Sequence, residues 1–235
     1  MIDFAKYAFN KSHAAAYAVV SYQTAFLKYY YPVEYMAALM TSVIHNPSKV
    51  AEYILSSRKM QIEILPPDIN FGESEFSADH GAIRYGLSAI KSLGAPMIRA
   101  IVEERNENGK YQSLRDFIER MSGRELNKRA IENLIKAGAL DQVAGNRRQK
   151  LMVYAEIVDA VNQEKKNAMT GQMSLFDLIS DEEKEAYEIQ MPKVEEYSKE
   201  ELLSFEKEVL GVYISGHPLE EYEERWRKKY YSTDS

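Results

Sequence analysis

Apolar residues return at helical spacing over residues 12–30, where Ala14, Tyr17, Ala18, Tyr22, Ala25, Phe26 and Tyr29 mark one stripe. The residue before a proline avoids the helical region, so Tyr31-Pro32 predicts a break. Pro32 then suits the first turn of a second helix reaching about Val43. Asn46-Pro47 repeats the device, with Asn as cap and Pro inside the first turn, and predicts a third helix to about Met60. Ile62-Glu63-Ile64-Leu65 is a short strand candidate stopped by Pro66-Pro67. Glu75 to Ala78 and Ala82 to Tyr85 flank Asp79-His80-Gly81 and predict a small β-hairpin.

Helical spacing resumes over about 87–92, 96–107, 113–121, 127–137, 146–164, 181–188 and 199–210. Ser113 with Asp116, and Ser198 with Glu201, have the spacing of a capping box, although Asp is shorter than the usual Glu or Gln. Gln163 to Gly171 is polar and ends in glycine, which reads as a loop. Residues 222–235 carry no closing element, so the chain is expected to stop at a domain edge. The pattern predicts a mainly α fold with a small β-hairpin, then a tandem helix-hairpin-helix module and a helical tail.

Composition narrows the class. The 235 residues are 45% hydrophobic, enough for a packed core in one or two domains. No apolar run approaches the ~20 residues of a membrane span, and Met1-Ile2-Asp3-Phe4 runs directly into patterned sequence, so no targeting segment is expected. With no cysteine, disulfides, thiolate metal sites and cysteine nucleophiles are excluded. A cytoplasmic protein with no membrane partner is expected. The net charge of −6 hides a strong asymmetry. Residues 1–80 hold 6 basic and 8 acidic side chains, residues 81–150 hold 14 and 8, and residues 151–235 hold 10 and 20. A basic middle segment between acidic flanks points to a polyanionic partner or to a solvated face.

The basic segment contains the sequence's clearest binding pattern. From Gly86 to Ile101 a short helix leads to Leu93-Gly94-Ala95 and a second helix follows. Gly94 is expected to let the backbone turn tightly and admit a ligand closely. Pro96 opens the next helix, whose free N–H groups and dipole favour an anion. On DNA that anion is a backbone phosphate, held without reading sequence. Lys91 and Arg99 flank the turn as phosphate partners. A second unit runs from Leu126 to Leu140, turns at Gly138 and leads to a helix at Asn146, adding Lys128, Arg129, Arg147 and Arg148. The alternative for either unit is a plain helical hairpin with a glycine C-cap. Beyond it, Gln172-Met173-Ser174-Leu175-Phe176 follows a polar stretch. Leu175 and Phe176 can fill one pocket of a partner while Gln172 bonds at its rim, or they can tuck back on the preceding helix.

Several stretches together resemble one family. Tyr7-Ala8-Phe9-Asn10-Lys11-Ser12-His13-Ala14-Ala15-Ala16-Tyr17 is similar to a signature of the bacterial DNA polymerase III α subunit, DnaE type. The same holds for Ser21-Tyr22-Gln23-Thr24-Ala25, Pro32-Val33-Glu34-Tyr35-Met36-Ala37-Ala38-Leu39 and Leu65-Pro66-Pro67-Asp68-Ile69-Asn70. Leu126-Asn127-Lys128-Arg129-Ala130 and Gly211-Val212-Tyr213-Ile214-Ser215-Gly216-His217-Pro218-Leu219 continue it in the same order.

The resemblance implies a fragment of a nucleotidyltransferase. Residues 1–80 would be a fingers portion, 81–165 the helix-hairpin-helix region, and 166–235 a clamp-binding loop with a helical tail leading to an OB-fold domain. The palm, with its aspartates and Mg2+, would lie before Met1, so no catalytic residue, metal or cofactor is expected here. Gln172, Ser174, Leu175 and Phe176 fit the family's sliding-clamp peptide. Lys11 and His13, beside Asn10 and Ser12, are implied to face the triphosphate of an incoming nucleotide, or else simply to begin a helix. The implied partners are primer-template DNA, the sliding clamp, the rest of the α chain and the nucleotide. Two rivals stand beside this reading: a free-standing helix-hairpin-helix scaffold, and a repair glycosylase, for which Asp116 and Asp141 are the only nearby aspartates.

Overall fold

A computed structural model describes residues 11–124, 126–169 and 190–219. Asn10, the peptide Gln172–Phe176, the helix predicted over 181–188 and the tail from residue 222 lie outside the described residues.

The described chain is mainly helical. Three helices come first: α1 (Lys11–Tyr30), α2 (Pro32–Ser42) and α3 (Pro47–Lys59). Each break falls where a proline dictates it. Asn46 caps α3, its side chain accepting from the Lys49 N–H at 3.2 Å. A three-stranded sheet follows, built from β1 (Ile64–Leu65), β2 (Ser77–Asp79) and β3 (Ala82–Arg84) in the order β1-β3-β2. The β2–β3 pair is the predicted antiparallel hairpin, and β1 joins it in parallel, with Ile64 opposite Ile83. The rest comprises a single 3-10 turn (Leu87–Ala89) and helices α4 (Ala95–Asn108), α5 (Leu114–Met121), α6 (Lys128–Lys136), α7 (Arg147–Met169) and α8 (Lys199–Leu210).

One hydrophobic cluster runs from Met36 in α2 to Ile214 beyond α8. It takes Ile83 from β3, Ile98 and Ile101 from α4, Phe117 from α5, Leu134 and Ile135 from α6, and Val153, Ile157 and Val161 from α7. The sheet thus joins strands from both sides of residue 80. Tyr111 locks α4 to α5: its hydroxyl donates to the Ile101 carbonyl at 2.9 Å and its ring stands edge-on to Phe117 at 5.1 Å. Burial pushes the Tyr111 phenol up to about 12.

Two expectations need correction. The helix predicted over 87–92 is only the turn Leu87–Ala89, because Ile90 returns to extended backbone. The polar stretch from Gln163, read as a loop, continues α7 to Met169. Its polar side chains have partners on α5 and just beyond it: Glu164 accepts two bonds from Arg115 at 3.0 Å, and Lys165 donates to the Ser122 carbonyl at 2.9 Å. The helix expected over 12–30 forms as α1. Its apolar stripe is present, yet none of its residues is buried, and Tyr17, Tyr22, Tyr29 and Tyr30 are all exposed. No helix among the described residues is long and apolar enough to cross a membrane.

Candidate nucleic-acid interface

The first hairpin is built on the end of β3. Gly86 passes so close to residues 74–76 that a Cβ would come within 2.6 Å of the Glu75 carbonyl carbon. That approach lets Leu87 and Ser88 donate backbone bonds to Glu73 and Ser74 at 3.0 and 2.9 Å. Buried Leu87 and Ile90 fix one side of the turn, and buried Met97 and Ile98 fix the other. Between them Ser92, Gly94, Ala95 and Pro96 are exposed.

The turn is made differently from the sequence expectation. Gly94 has φ −79° and ψ 148°, ordinary extended backbone at the N-cap of α4. The left-handed residue is Ser92, with φ 66°. Glycine at position 94 is therefore not required by the turn; what it provides is room, since a Cβ there would meet only Pro96 Cδ, at 3.7 Å. The N–H groups of Gly94, Ala95 and Met97 have no acceptor among the described residues, while Ile98 bonds back to the Gly94 carbonyl at 3.1 Å. These unpaired donors, with the positive end of the α4 dipole behind them, form an exposed anion cradle. Arg99, one turn into α4, is exposed and has no ion pair among the described residues. Lys91 lies on the other flank, but its Nζ donates to the Glu208 carbonyl at 2.5 Å.

The second hairpin begins with Asn127, which caps α6 by accepting from the Ala130 N–H at 2.9 Å. Lys128 forms an exposed ion pair with Asp159 at 2.7 Å, while exposed Arg129 has no ion pair among the described residues. At the far end of α6 the Ala139 N–H reaches the Leu134 carbonyl at 2.9 Å and Gly138 takes φ 81°, a glycine-terminated helix end. Here the left-handed backbone requires glycine, and a Cβ would also strike the Arg147 guanidinium.

Arg147 is turned inward. Its Nε and Nη2 bond to the Asp141 carboxylate at 2.6–3.0 Å and its Nη1 donates to the Lys136 carbonyl at 3.2 Å. Its guanidinium is thereby committed to shaping the turn. Asp141 is committed with it, and Asp116 accepts from the Gln112 N–H at 2.8 Å, so neither aspartate is disposed as a glycosylase would need. At the start of α7, Asn146 and Gln149 cap reciprocally, each side-chain oxygen accepting the other's N–H at 2.8 Å. The next two amides, of Arg147 and Arg148, donate to the Glu196 carboxylate at 2.8 and 3.1 Å. A carboxylate from the segment before α8 thus takes up the first free amides of α7. Exposed Arg148 leans over the Tyr197 ring at 5.6 Å.

Sequence reasoning missed two residues that shape these turns. Lys150 is fully buried, its ammonium donating to the carbonyls of Leu140 at 2.8 Å, Val143 at 3.0 Å and Gly145. Burial lowers its pKa below the usual lysine value. A signal was available: Lys150 lies at helical spacing from buried Val153, Ile157 and Val161. Asn133 is also buried, on the apolar face of α6, and donates to the Lys91 carbonyl at 2.7 Å. At the start of α1, Lys11, Ser12 and His13 are exposed, and the His13 ring meets the Tyr17 ring at 4.4 Å, tilted by 54°.

The helix-hairpin-helix motif family matches residues 61–150, the stretch that holds both hairpins. Relatives extend the likeness over nearly the whole chain. The DNA polymerase III subunit alpha of Borreliella burgdorferi is 42% identical over 219 residues, 93% of this chain and 19% of that protein. The protein of the same name from Thermus aquaticus is 42% identical over 219 residues, 93% of this chain and 17% of its own. That of Deinococcus radiodurans is 44% identical over 225 residues, 95% of this chain and 17% of its own. The chain therefore spans under a fifth of the length of these relatives.

Proposed function

Since the chain is homologous to one segment of bacterial DNA polymerase III α subunits and carries a helix-hairpin-helix motif, we propose that it is the part of such a polymerase that holds the DNA backbone and tethers the enzyme to its sliding clamp. The observation that carries the DNA half is the open turn at Gly94, where the N–H groups of Gly94, Ala95 and Met97 lack acceptors among the described residues and Arg99 stands exposed beside them. Amides and a guanidinium bind phosphate oxygens without regard to base, which suits an enzyme that must copy any template. Arg129 and Arg148 extend the cationic surface from the second hairpin, while the ion pair to Asp159 leaves Lys128 a smaller part. Arg147 contributes through the shape of the turn it holds.

The clamp half rests on Gln172, Ser174, Leu175 and Phe176 and on their place in the sequence after the hairpins. Tethering of this kind raises the effective concentration of a polymerase at its template without altering the chemistry. Lys11, Ser12 and His13, with Asn10, are assigned to the side of α1 that meets the incoming nucleotide. The exposed tyrosines of α1 are assigned to contact with further polypeptide of the α subunit. Nucleotidyl transfer and its Mg2+ are assigned to other parts of that subunit, so these residues alone are expected to be inactive.

Duplex binding tests the central claim. Replacing Arg99 and Arg129 together by alanine is expected to weaken affinity for unrelated duplexes equally. The same change should reduce the slope of log K against log salt by nearly two, about 0.9 for each phosphate that is no longer neutralised. An unchanged slope refutes backbone binding at these positions.

A further inference from the structure

Lys91, at the first turn, is held from three sides. Its N–H donates to the Val209 carbonyl at 3.0 Å, and its Nζ donates to the Glu208 carbonyl at 2.5 Å. Its own carbonyl accepts from Asn133 Nδ2 at 2.7 Å. The first two ties come from the C-terminal end of α8 and the third from α6. Lys136 pins α8 in turn, its Nζ reaching the Glu208 carboxylate at 3.0 Å.

The next residue is Ser92, left-handed at φ 66°. A residue with a Cβ disfavours that conformation by roughly 1–2 kcal/mol and keeps it only where its surroundings impose it. Two residues further on come the unpaired amides of the anion cradle. A loosened Lys91 would let Ser92 leave the left-handed region, and the direction of every following N–H would change with it.

We propose that Asn133, together with the C-terminal end of α8, is a positioning element for the phosphate-binding turn. It acts through Lys91, keeping Ser92 left-handed so that the amides of Gly94, Ala95 and Met97 stay presented to a phosphate. The inference rests on the DNA-binding reading of that turn. It makes binding at the first hairpin depend on the second hairpin and on a helix more than a hundred residues later in the chain.

A double-mutant cycle on the full chain tests it, read by fluorescence anisotropy with a labelled duplex and by thermal unfolding. Asn133→Leu keeps the branching of the side chain, with a somewhat larger volume, and removes the donor to Lys91. It is expected to weaken duplex affinity about fivefold, the effect of roughly 1 kcal/mol. Gly94→Ala, which weakens the otherwise unchanged chain, is expected to cost less than about twofold in the Asn133→Leu background, because the cradle is already displaced. Ser92→Gly, which adopts positive φ freely, should recover part of the Asn133→Leu loss. A general loss of stability would produce neither the non-additivity nor the rescue. Asn133→Asp, which replaces the donor by an acceptor, takes the place of the leucine variant if that one fails to fold. Multiplicative losses without rescue by Ser92→Gly overturn the positioning role alone. An inert Gly94→Ala in the unmutated chain overturns the phosphate reading and the positioning role with it.

Discussion

Gly94→Ala separates folding from DNA binding. The backbone of Gly94, φ −79° and ψ 148°, is open to alanine, and the added Cβ meets only Pro96 Cδ, at 3.7 Å. Alanine is a poorer N-cap than glycine, by somewhat less than the ~1 kcal/mol that separates it from the best caps. Removing glycine's freedom in the unfolded chain offsets about 0.4–1 kcal/mol. The net change in stability is therefore within about 0.5 kcal/mol, or roughly 1–2 °C in Tm for a chain of this size. Binding is affected differently. A phosphate oxygen must come within about 2.9 Å of the amides of Gly94, Ala95 or Met97, and a methyl on Gly94 would take up open space beside those amides, meeting only Pro96 Cδ. Keeping the phosphate away should weaken duplex affinity about five- to tenfold, or roughly 1–1.4 kcal/mol, with little change in the salt slope, because the amides carry no net charge and Arg99 remains. Fluorescence anisotropy at several salt concentrations measures both, and differential scanning calorimetry supplies the Tm. Unchanged affinity would refute the cradle. A Tm loss of many degrees alongside weaker binding would refute the claim that Gly94 is free of structural duty.

Four further outcomes follow from the same geometry. Lys150→Met should destabilise the protein by about 3 kcal/mol in chemical denaturation, because three carbonyls lose their donor in a buried turn; a neutral result would show that water replaces the ammonium. Arg147→Ala should lower stability by about 2 kcal/mol through the orphaned Asp141 and Lys136 carbonyl, while duplex affinity of the folded protein stays within about twofold; a steep loss of DNA affinity at unchanged Tm would restore it as a phosphate contact. Glu196→Ala should cost roughly 1 kcal/mol by uncapping the Arg147 and Arg148 amides, measurable as faster hydrogen exchange at the start of α7. Changing Leu175 and Phe176 to alanine should abolish clamp binding in calorimetry, and unchanged affinity would sink the docking assignment.

Local physical chemistry made much of the fold legible in the sequence. Proline and asparagine set the breaks at Tyr31–Pro32 and Asn46–Pro47 because their backbone restrictions act over one or two residues. The capping box at Ser198 and Glu201 forms in full, with bonds of 2.9 and 3.3 Å. At Ser113 only half forms, because the shorter Asp116 reaches Gln112 instead. The basic segment and the turn at Gly94 were equally readable, since charge and glycine are properties of composition and spacing. The tertiary structure decided which cations face solvent and which residue carries the turn. Arg147 and Arg148 are neighbours of one type, yet Arg147 is drawn inward by Asp141 and Arg148 lies exposed. Glycine's freedom suggested that Gly94 makes the turn, whereas contacts from α6 and α8 force that conformation on Ser92. Spacing along a chain reports the faces of its own helices, but a partner from a distant segment becomes visible only once the chain has packed.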